Sequence, residues 1–349
     1  MIENETENSV PEQNPINFET GRIISEHKER YIVFKEKREY EAEITGNMRY
    51  TANSRDDFPA VGDWVSLTVY DDNFAVIHKV LPRKSVLRRQ AVGQFGETQI
   101  IAANIDYAFI TQSVDRDFNI NRIERYLTIC YSANVQPLII LSKTDLVDSN
   151  ELELLLTELK ARIKDIPVFL ISSETKSGID ELRSVLTKDK TYCFLGSSGV
   201  GKSTLINILL GKEIIKTSSI SSSTGKGKHT TSRRELFELE NGSTLIDNPG
   251  MREVGIADAD GGLEITFDTI IKISENCKFT DCKHTNEKGC AVLEAVENGV
   301  IDESSYKNFL KMEREKIRFQ STVADKRKKD KAFGKMIKEV LKYKKHNKY

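Results

Sequence analysis

The segment Gly196-Ser197-Ser198-Gly199-Val200-Gly201-Lys202-Ser203-Thr204 sets glycines, a lysine and hydroxyls at the spacing of a phosphate-binding loop. Glycines let successive backbone N–H groups turn inward around phosphate oxygens. A helix starting just after the loop adds the positive end of its dipole. Lys202 is then expected to reach the β- and γ-phosphates, and the Ser203 hydroxyl to meet Mg²⁺. The flanks fit this geometry, since TYCFL reads as a strand and LINILL as the start of a helix.

A phosphate loop alone does not separate ATP from GTP. Ser142-Lys143-Thr144-Asp145 directly follows the apolar run VQPLIIL. A carboxylate at Asp145 can accept from guanine N1–H and N2–H₂ together. Adenine offers no such pair of donors and would leave the carboxylate unpaired. The stem of Lys143 can lie over the base. GTPases use Asn-Lys-x-Asp at such a strand end, and here Ser142 takes the Asn position, which changes one polar contact to the base and the loop. Ile171-Ser172-Ser173 follows the next strand, where the amides of Ser172 and Ser173 are expected to hold guanine O6. Asp247-Asn248-Pro249-Gly250 ends the run STLI and matches Asp-x-x-Gly. Asp247 is expected to hold Mg²⁺ through water, and the Gly250 amide to sense the γ-phosphate. Taken alone, this tetrapeptide also reads as an ordinary β-turn.

The order of these elements is itself informative. The base-reading segments (142–145 and 171–173) precede the phosphate loop (196–203), and Asp-x-x-Gly comes last. Ordinary GTPases begin with the phosphate loop. The domain is therefore read as circularly permuted, which is tolerated where chain termini lie close together. As a consequence, the segment that follows Asp-x-x-Gly leads straight into the C-terminal part of the chain.

A second group of chemically capable residues is Cys277, Cys282, His284 and Cys290. Three thiolates and one imidazole are the complement of a closed tetrahedral zinc site. Four protein ligands leave no position open for water, so the expected role is structural. Clustered cysteines in a reducing compartment favour metal over disulfides. The remaining cysteines, Cys130 and Cys193, stand in apolar surroundings and read as core residues.

The elements that position these groups can be read from patterning. Over Gly21 to about Leu87 the chain shows short strands with turn signals (RIIS, RYIVFK, EYEAEI, DWVSLTVY and FAVIHKVL). They suggest a small β-barrel of OB or SH3-like type. Past Arg88, apolar runs at IDYAFIT, VQPLIILS, PVFLIS and TYCFLG alternate with amphipathic segments, as in a doubly wound α/β domain. Leu152, Leu155, Leu156, Leu159 and Ile163 fall on one helical face. The expected organisation is a disordered tail at 1–17, a barrel at 18–87, a permuted nucleotide domain at 88–257 and a helical zinc-bearing domain at 258–349. Hydrophobic residues are 38% and charged residues 30% of the 349-residue chain, which fits a well-charged globular protein. No run reaches the roughly 18 apolar residues of a membrane span. The polar N-terminus lacks the apolar core of an export signal. A cytoplasmic protein without a membrane partner is expected, and nothing suggests a dimer seam, so a monomer is expected too.

Together these residues resemble the ribosome-small-subunit-dependent GTPase A family of bacteria. The resemblance rests on the permuted order, GSSGVGKST, GKGKHTTSRREL, CKFTDCKHTNEKGC, VGDWV and IDYAFIT followed by FNINRIERYL. It implies an OB domain, a permuted GTPase domain and a helical zinc-binding domain. It also implies GTP and GDP as ligands, and action late in 30S subunit maturation. Binding would be near the decoding region of that subunit, with contact to 16S rRNA, and the subunit would stimulate hydrolysis.

Two further features bear on mechanism. Many GTPases place a Gln just after Asp-x-x-Gly to orient water, but Met251 stands there, so slow intrinsic hydrolysis is expected. The polar stretch 225–231 reads as a switch, with Thr230 or Thr231 expected on Mg²⁺ and His229 a candidate for positioning water. The segment 308–349 holds 15 Lys/Arg and 5 Asp/Glu, a net of +10 in a chain of net −1. With Arg83, Lys84, Arg88 and Arg89 at the barrel boundary, this tail suggests a polyanionic partner and salt-sensitive RNA binding. Two other readings compete. A P-loop ATPase or small-molecule kinase is disfavoured by Asp145, and a scaffold with a vestigial site is disfavoured by the intact Lys202, Ser203 and Asp247.

Overall fold

The structure is a computed structural model that describes residues 18–27, 30–91, 97–115, 117–215, 234–248, 255 and 261–346. The tail at 1–17, the switch candidates His229, Thr230 and Thr231, and the residues Pro249, Gly250 and Met251 lie outside the described residues.

The first strands are β1 (Glu19–His27), β2 (Arg30–Lys35) and β3 (Arg38–Ile44), followed by the short helix α1 (Gly46–Thr51) and strands β4 (Trp64–Val69) and β5 (Phe74–Val80). They pair in the order β1-β2-β3-β5-β4, and β4 pairs back onto β1 to close a barrel. Of the two barrel types left open by the sequence, this order is that of an OB fold. Alternate residues point inward, so Ile23, Tyr31, Val33, Ala42, Val65, Leu67, Ala75 and Ile77 form the barrel core. Closure brings β1 close to its neighbours at Gly21. A Cβ there would lie 2.4 Å from Val33 Cγ1 and 2.7 Å from Leu67 Cδ2, so the strand needs a residue without a side chain at this point.

A two-stranded ribbon, β6 (Val86–Gln90) with β7 (Thr98–Ala103), follows the barrel and straddles the expected boundary at 87/88. Then come β8 (Tyr107–Ser113), α2 (Ile120–Ser132), β9 (Gln136–Ser142), α3 (Ser149–Arg162), β10 (Val168–Ile171), α4 (Ile179–Ser184), β11 (Thr191–Leu195), α5 (Lys202–Leu210), β12 (Glu235–Glu238) and β13 (Thr244–Asp247). Five of these strands run parallel in the order β10-β9-β8-β11-β13, with β12 antiparallel beside β13. Helices cover both faces. Ile123, Tyr126, Leu127 and Cys130 of α2 pack on one side with Leu159 of α3. Ile179 and Leu182 of α4 pack on the other with Leu205, Ile206 and Leu209 of α5. Coverage on both faces is why these strands read as continuous apolar runs. Cys130 and Cys193 are fully buried, as their apolar surroundings predicted.

The barrel and this sheet are joined in a way the sequence did not announce. Ser25 of β1 pairs with Glu235 of β12, which makes one eleven-stranded sheet. Arg22 reinforces the joint by donating to Thr191 Oγ1 (2.7 Å) and Thr244 Oγ1 (3.4 Å) at the starts of β11 and β13.

The boundary cations expected to offer charge to RNA each have a partner within the chain, while the Lys84 side chain stays 60% exposed. Arg83 donates to both carboxylate oxygens of the buried Asp63 (2.8 and 2.7 Å) and to the carbonyls of Asp56 (2.5 Å) and Phe58 (2.8 Å). Arg88 pairs with Asp56 (2.8 Å), Lys84 with Asp106, and Arg89 donates to Gln99 Oε1. Lys84 thereby ties the barrel segment to Asp106 just before β8, Arg88 ties the ribbon to the barrel, and Arg83 braces the barrel itself. A long positive run in sequence did not reveal the carboxylates that fold against it.

The C-terminal part comprises α6 (Gly262–Thr266), α7 (Asp268–Ser274), α8 (Ala291–Glu297) and α9 (Glu303–His346). Leu263, Phe267, Ile270, Val292, Phe309 and Met312 form its core. It is bolted to α2 through Glu124, which is 2% exposed. That carboxylate accepts from Arg162 Nη2 (2.7 Å), Ser305 Oγ (2.9 Å) and Asn308 Nδ2 (2.6 Å). A buried carboxylate is tolerated only when paired and hydrogen-bonded in this way. No described helix is long and apolar enough to cross a membrane.

Candidate nucleotide site and metal centre

Every segment singled out for phosphate or base contact lies at the carboxyl end of a parallel strand. Ser142 ends β9, Ile171 ends β10, Gly196 follows β11 and Asp247 ends β13. The crevice beyond the carboxyl strand ends is where open α/β sheets hold ligands.

The phosphate loop is built around glycines that only glycine could fill. Gly196 has φ +147°, and a Cβ there would lie 2.3 Å from the Thr111 carbonyl oxygen. The loop ends in Gly201 at φ 93°, and α5 begins at Lys202 with no side-chain cap among the described residues. Lys202 is buried and curls back into its own loop, donating to Gly196 O (2.9 Å) and Ser197 O (2.7 Å). Burial lowers its pKa, opposed by the attraction of Asp247. Burial likewise raises the Asp247 pKa, opposed by Lys202. Two buried opposite charges beside a glycine-bent loop make a cradle suited to a charged ligand.

Among the described residues, three buried polar atoms in this region have no hydrogen-bond partner: Ser197 Oγ, Asp247 Oδ1 and Asn248 Oδ1. Orphaned buried polar atoms are costly and require an explanation. Asp247 Oδ2 lies 3.4 Å from Ser203 Oγ. A carboxylate and a hydroxyl side by side, one carboxylate oxygen unpaired, fit a hard oxygen-liganded cation such as Mg²⁺. Asn248 sends its amide inward instead, donating to Cys193 Sγ (2.9 Å). It anchors the end of β13 to the strand that feeds the phosphate loop.

The base-reading residues form one connected group. Lys143 adopts the left-handed conformation (φ 60°) and its ammonium pairs with Asp115 (2.9 Å). Thr144 and Asp145 lie in a short 3₁₀ turn. Ser172 Oγ donates to Asp145 Oδ1 (2.5 Å), so the carboxylate is held by the neighbouring strand end. The N–H of Ser172 donates to Ser177 O (3.1 Å), which leaves the amide of Ser173 as the one of that pair able to face a base. Ser142 Oγ donates to Val200 O (2.7 Å), stitching the base-reading turn to the phosphate loop. Sequence reasoning missed Asp115 as the partner of Lys143 and Ser142 as a loop anchor. Only the spatial neighbourhood of β8, β9 and the loop reveals them.

The metal centre is equally local. The ligand atoms of Cys277, Cys282, His284 and Cys290 all lie within 4.8 Å of one another. Cys277 Sγ and Cys290 Sγ are 3.9 Å apart, and each lies 3.6 and 3.5 Å from His284 Nδ1. A tetrahedron with Zn–S bonds of about 2.3 Å has edges of roughly 3.8 Å, so the donor set fits zinc. His284 takes a left-handed backbone (φ 55°), and its carbonyl accepts from Tyr306 Oη (2.5 Å) on α9. The long helix is thereby tied to the ligand loop.

Fold and site define a class: a P-loop nucleotide-binding protein whose phosphate loop follows its base-reading segments, with a barrel before it and a metal-ready helical domain after it. The family model described as RsgA GTPase matches residues 80–257. A relative from Bacteroides thetaiotaomicron, named small ribosomal subunit biogenesis GTPase RsgA 1, is 43% identical over 326 residues, covering 93% of this chain and 90% of that one. Another, RsgA 2 of Lactiplantibacillus plantarum, is 46% identical over 299 residues, covering 84% and 82%. The crystal structure of YjeQ from Thermotoga maritima is similar with a TM-score of 0.61 at 26% identity, covering 86% of this chain and 99% of that one. YloQ, described as a circularly permuted GTPase, shares the fold at a TM-score of 0.57, 23% identity and coverage of 89% and 96%. The chain belongs to the RsgA GTPase family.

Proposed function

We propose that the protein hydrolyses GTP on the small ribosomal subunit, assists late maturation of that 30S particle, and couples hydrolysis to its own release. The observation that carries the nucleotide part is Asp145, held by Ser172 on the same rim of the sheet as the phosphate loop. The relatives' name, small ribosomal subunit biogenesis GTPase, supports the particle.

In this reading Ser142, Lys143, Thr144, Asp145, Ser172 and Ser173 receive guanine. Residues Gly196 to Thr204 cradle the phosphates, with Gly250 near the γ-phosphate. Lys202 turns from the Gly196 and Ser197 carbonyls to the β- and γ-phosphates. Ser203 and Asp247 hold Mg²⁺, which when bound neutralises charge between the phosphates. His229, with Thr230 and Thr231, is proposed on sequence alone to complete the catalytic site. Cys277, Cys282, His284 and Cys290 hold one structural zinc. The domain division at 18–87, 88–257 and 258–349 follows the same reading, with β6 and β7 acting as the seam between barrel and nucleotide domain. Contact with 16S rRNA, a monomeric state and a cytoplasmic location complete it.

Exchanging Asp145 for Asn tests the base assignment. An amide can accept only one of guanine's two donors but can donate to the 2-oxo group of xanthine. D145N should lose about 100-fold or more in GDP affinity and gain XDP binding. Equal GDP affinity in D145N would remove Asp145 from the site.

A further inference from the structure

Ser142 occupies the position where GTPases carry an Asn, yet it is not a passive replacement. It is 5% exposed. Its hydroxyl donates to Val200 O at 2.7 Å, with Gln112 O at 3.3 Å as the only other acceptor near it among the described residues. A serine hydroxyl has one proton, and an Asn amide has two. Here the one proton is committed to the phosphate loop.

The covalent shape of guanine says what this leaves undone. Asp145 takes the N1 and N2 donors, and O6 lies beside them. Two ring acceptors are left on the base, N3 on the N2 side and N7 on the O6 side. Ser142 is in register with Ile171, beside the Ser172-Ser173 segment that is to hold O6, so N7 is the acceptor on its side, in the five-membered ring that also carries the ribose and phosphates. N7 must therefore lie toward the phosphate loop from the edge that Asp145 holds. Residue 142 is bonded to Val200 of that loop and stands three positions before Asp145, so it links the two. An Asn there has one N–H for Val200 O and a second for N7. Serine keeps the first bond and has no donor for the second.

We infer that this protein reads guanine without N7, and that Ser142 is a positioning residue which fastens the phosphate loop while leaving the five-membered ring of the base unread. This rests on Asp145 reading guanine. The site then takes purines with an N1–H, N2–H₂ edge and tolerates change at position 7.

The test is equilibrium binding of GDP, 7-deaza-GDP and ADP to the full-length protein. Replacing N7 by C–H removes the acceptor and keeps the edge that Asp145 reads. The wild-type protein should bind GDP and 7-deaza-GDP within about twofold of each other, because no hydrogen bond is lost. S142N should prefer GDP over 7-deaza-GDP by about fivefold, the size of one neutral hydrogen bond. S142A should weaken both nucleotides by the same factor, about five- to tenfold, because Val200 O loses its donor. A wild-type preference of fivefold or more for GDP over 7-deaza-GDP would overturn the inference, as would a folded S142N with no preference. The wild-type comparison needs no variant, so it stands even if S142N does not fold. Failure to separate GDP from ADP would instead sink the guanine assignment itself.

Discussion

Lys202→Ala is expected to lower GTP turnover by about 100- to 1000-fold, the range seen when one preorganised donor to developing charge is removed. The geometry explains the size. Lys202 is almost wholly buried, and its ammonium already sits inside the loop, 2.9 and 2.7 Å from the Gly196 and Ser197 carbonyls. Burial leaves it poorly solvated, as the lowered pKa records. Bound phosphates would exchange those two neutral carbonyls for anionic oxygens, and the attraction strengthens where water is excluded. Phosphoryl transfer needs positioning and charge stabilisation more than covalent chemistry, so loss of this cation removes much of what the loop supplies. Single-turnover hydrolysis at saturating GTP, with circular dichroism to confirm folding, measures the effect. Lys202→Met, which keeps the aliphatic stem, should fall by a similar factor. Turnover within threefold of wild type in either variant would place the phosphates elsewhere.

The second large effect is expected at the metal centre. The purified protein should contain about one zinc per chain, and Cys290→Ser should reduce this to a small fraction. Cys290 is buried, stands at the start of α8 and accepts from Leu293 N (3.5 Å), so as a ligand its thiolate would join the metal, the helix and the domain core. Structural zinc sites commonly contribute much of the folding free energy of a small domain. Here Leu263, Phe267, Phe309 and Met312 supply an apolar core as well. Loss of metal should therefore loosen the segment 261–301 and lower its thermal midpoint by roughly 10 °C or more, rather than unfold the chain. Hydrogen exchange should localise the change to α7, α8 and the 277–290 loop, with β8 to β11 protected as before. Unaltered zinc content in Cys290→Ser would refute the ligand assignment.

Much of this was legible in the sequence because the chemistry is contiguous. The phosphate loop needs glycines, Lys202 and Ser203 within one turn, and the metal centre needs four donors within one loop. Neither depends on distant residues. The strands were legible because coverage on both faces turns a parallel strand into an unbroken apolar run, as in TYCFL. What stayed hidden depends on long-range partners. Arg22 reaches Thr191 and Thr244, which are 169 and 222 positions away. No local pattern around Glu124 marks it as buried, and only the packing of α9 against α2 turns it into an anchor. Arg83 and Arg88 looked free because their carboxylates, Asp63 and Asp56, lie on the barrel side of a turn. The pairing of β1 with β12 joins residues 25 and 235, and no local pattern carries that register.

These hidden joints matter for the proposed function. β12 lies beside β13, whose last residue is Asp247, and β1 of the barrel pairs with β12. On the other flank, Gln90 N of β6 donates to the carbonyl of Gly255 (3.1 Å), five positions after Gly250 in sequence. The barrel, through β1, and the ribbon that follows it, through β6, are thus in contact with elements leading into and out of the phosphate site. A particle that grips the barrel can bias that site only through such fixed contacts.

The central claim is that the small ribosomal subunit sets the pace of hydrolysis in this site. Met251 follows the Asp-x-x-Gly sequence at the position where a water-orienting Gln often stands, so the protein alone should be slow. The most direct measurement is GTP turnover by the full-length protein alone, with purified 30S subunits and with purified 50S subunits. The account predicts a rise of at least about tenfold with 30S and none with 50S. Equal turnover under all three conditions would contradict it.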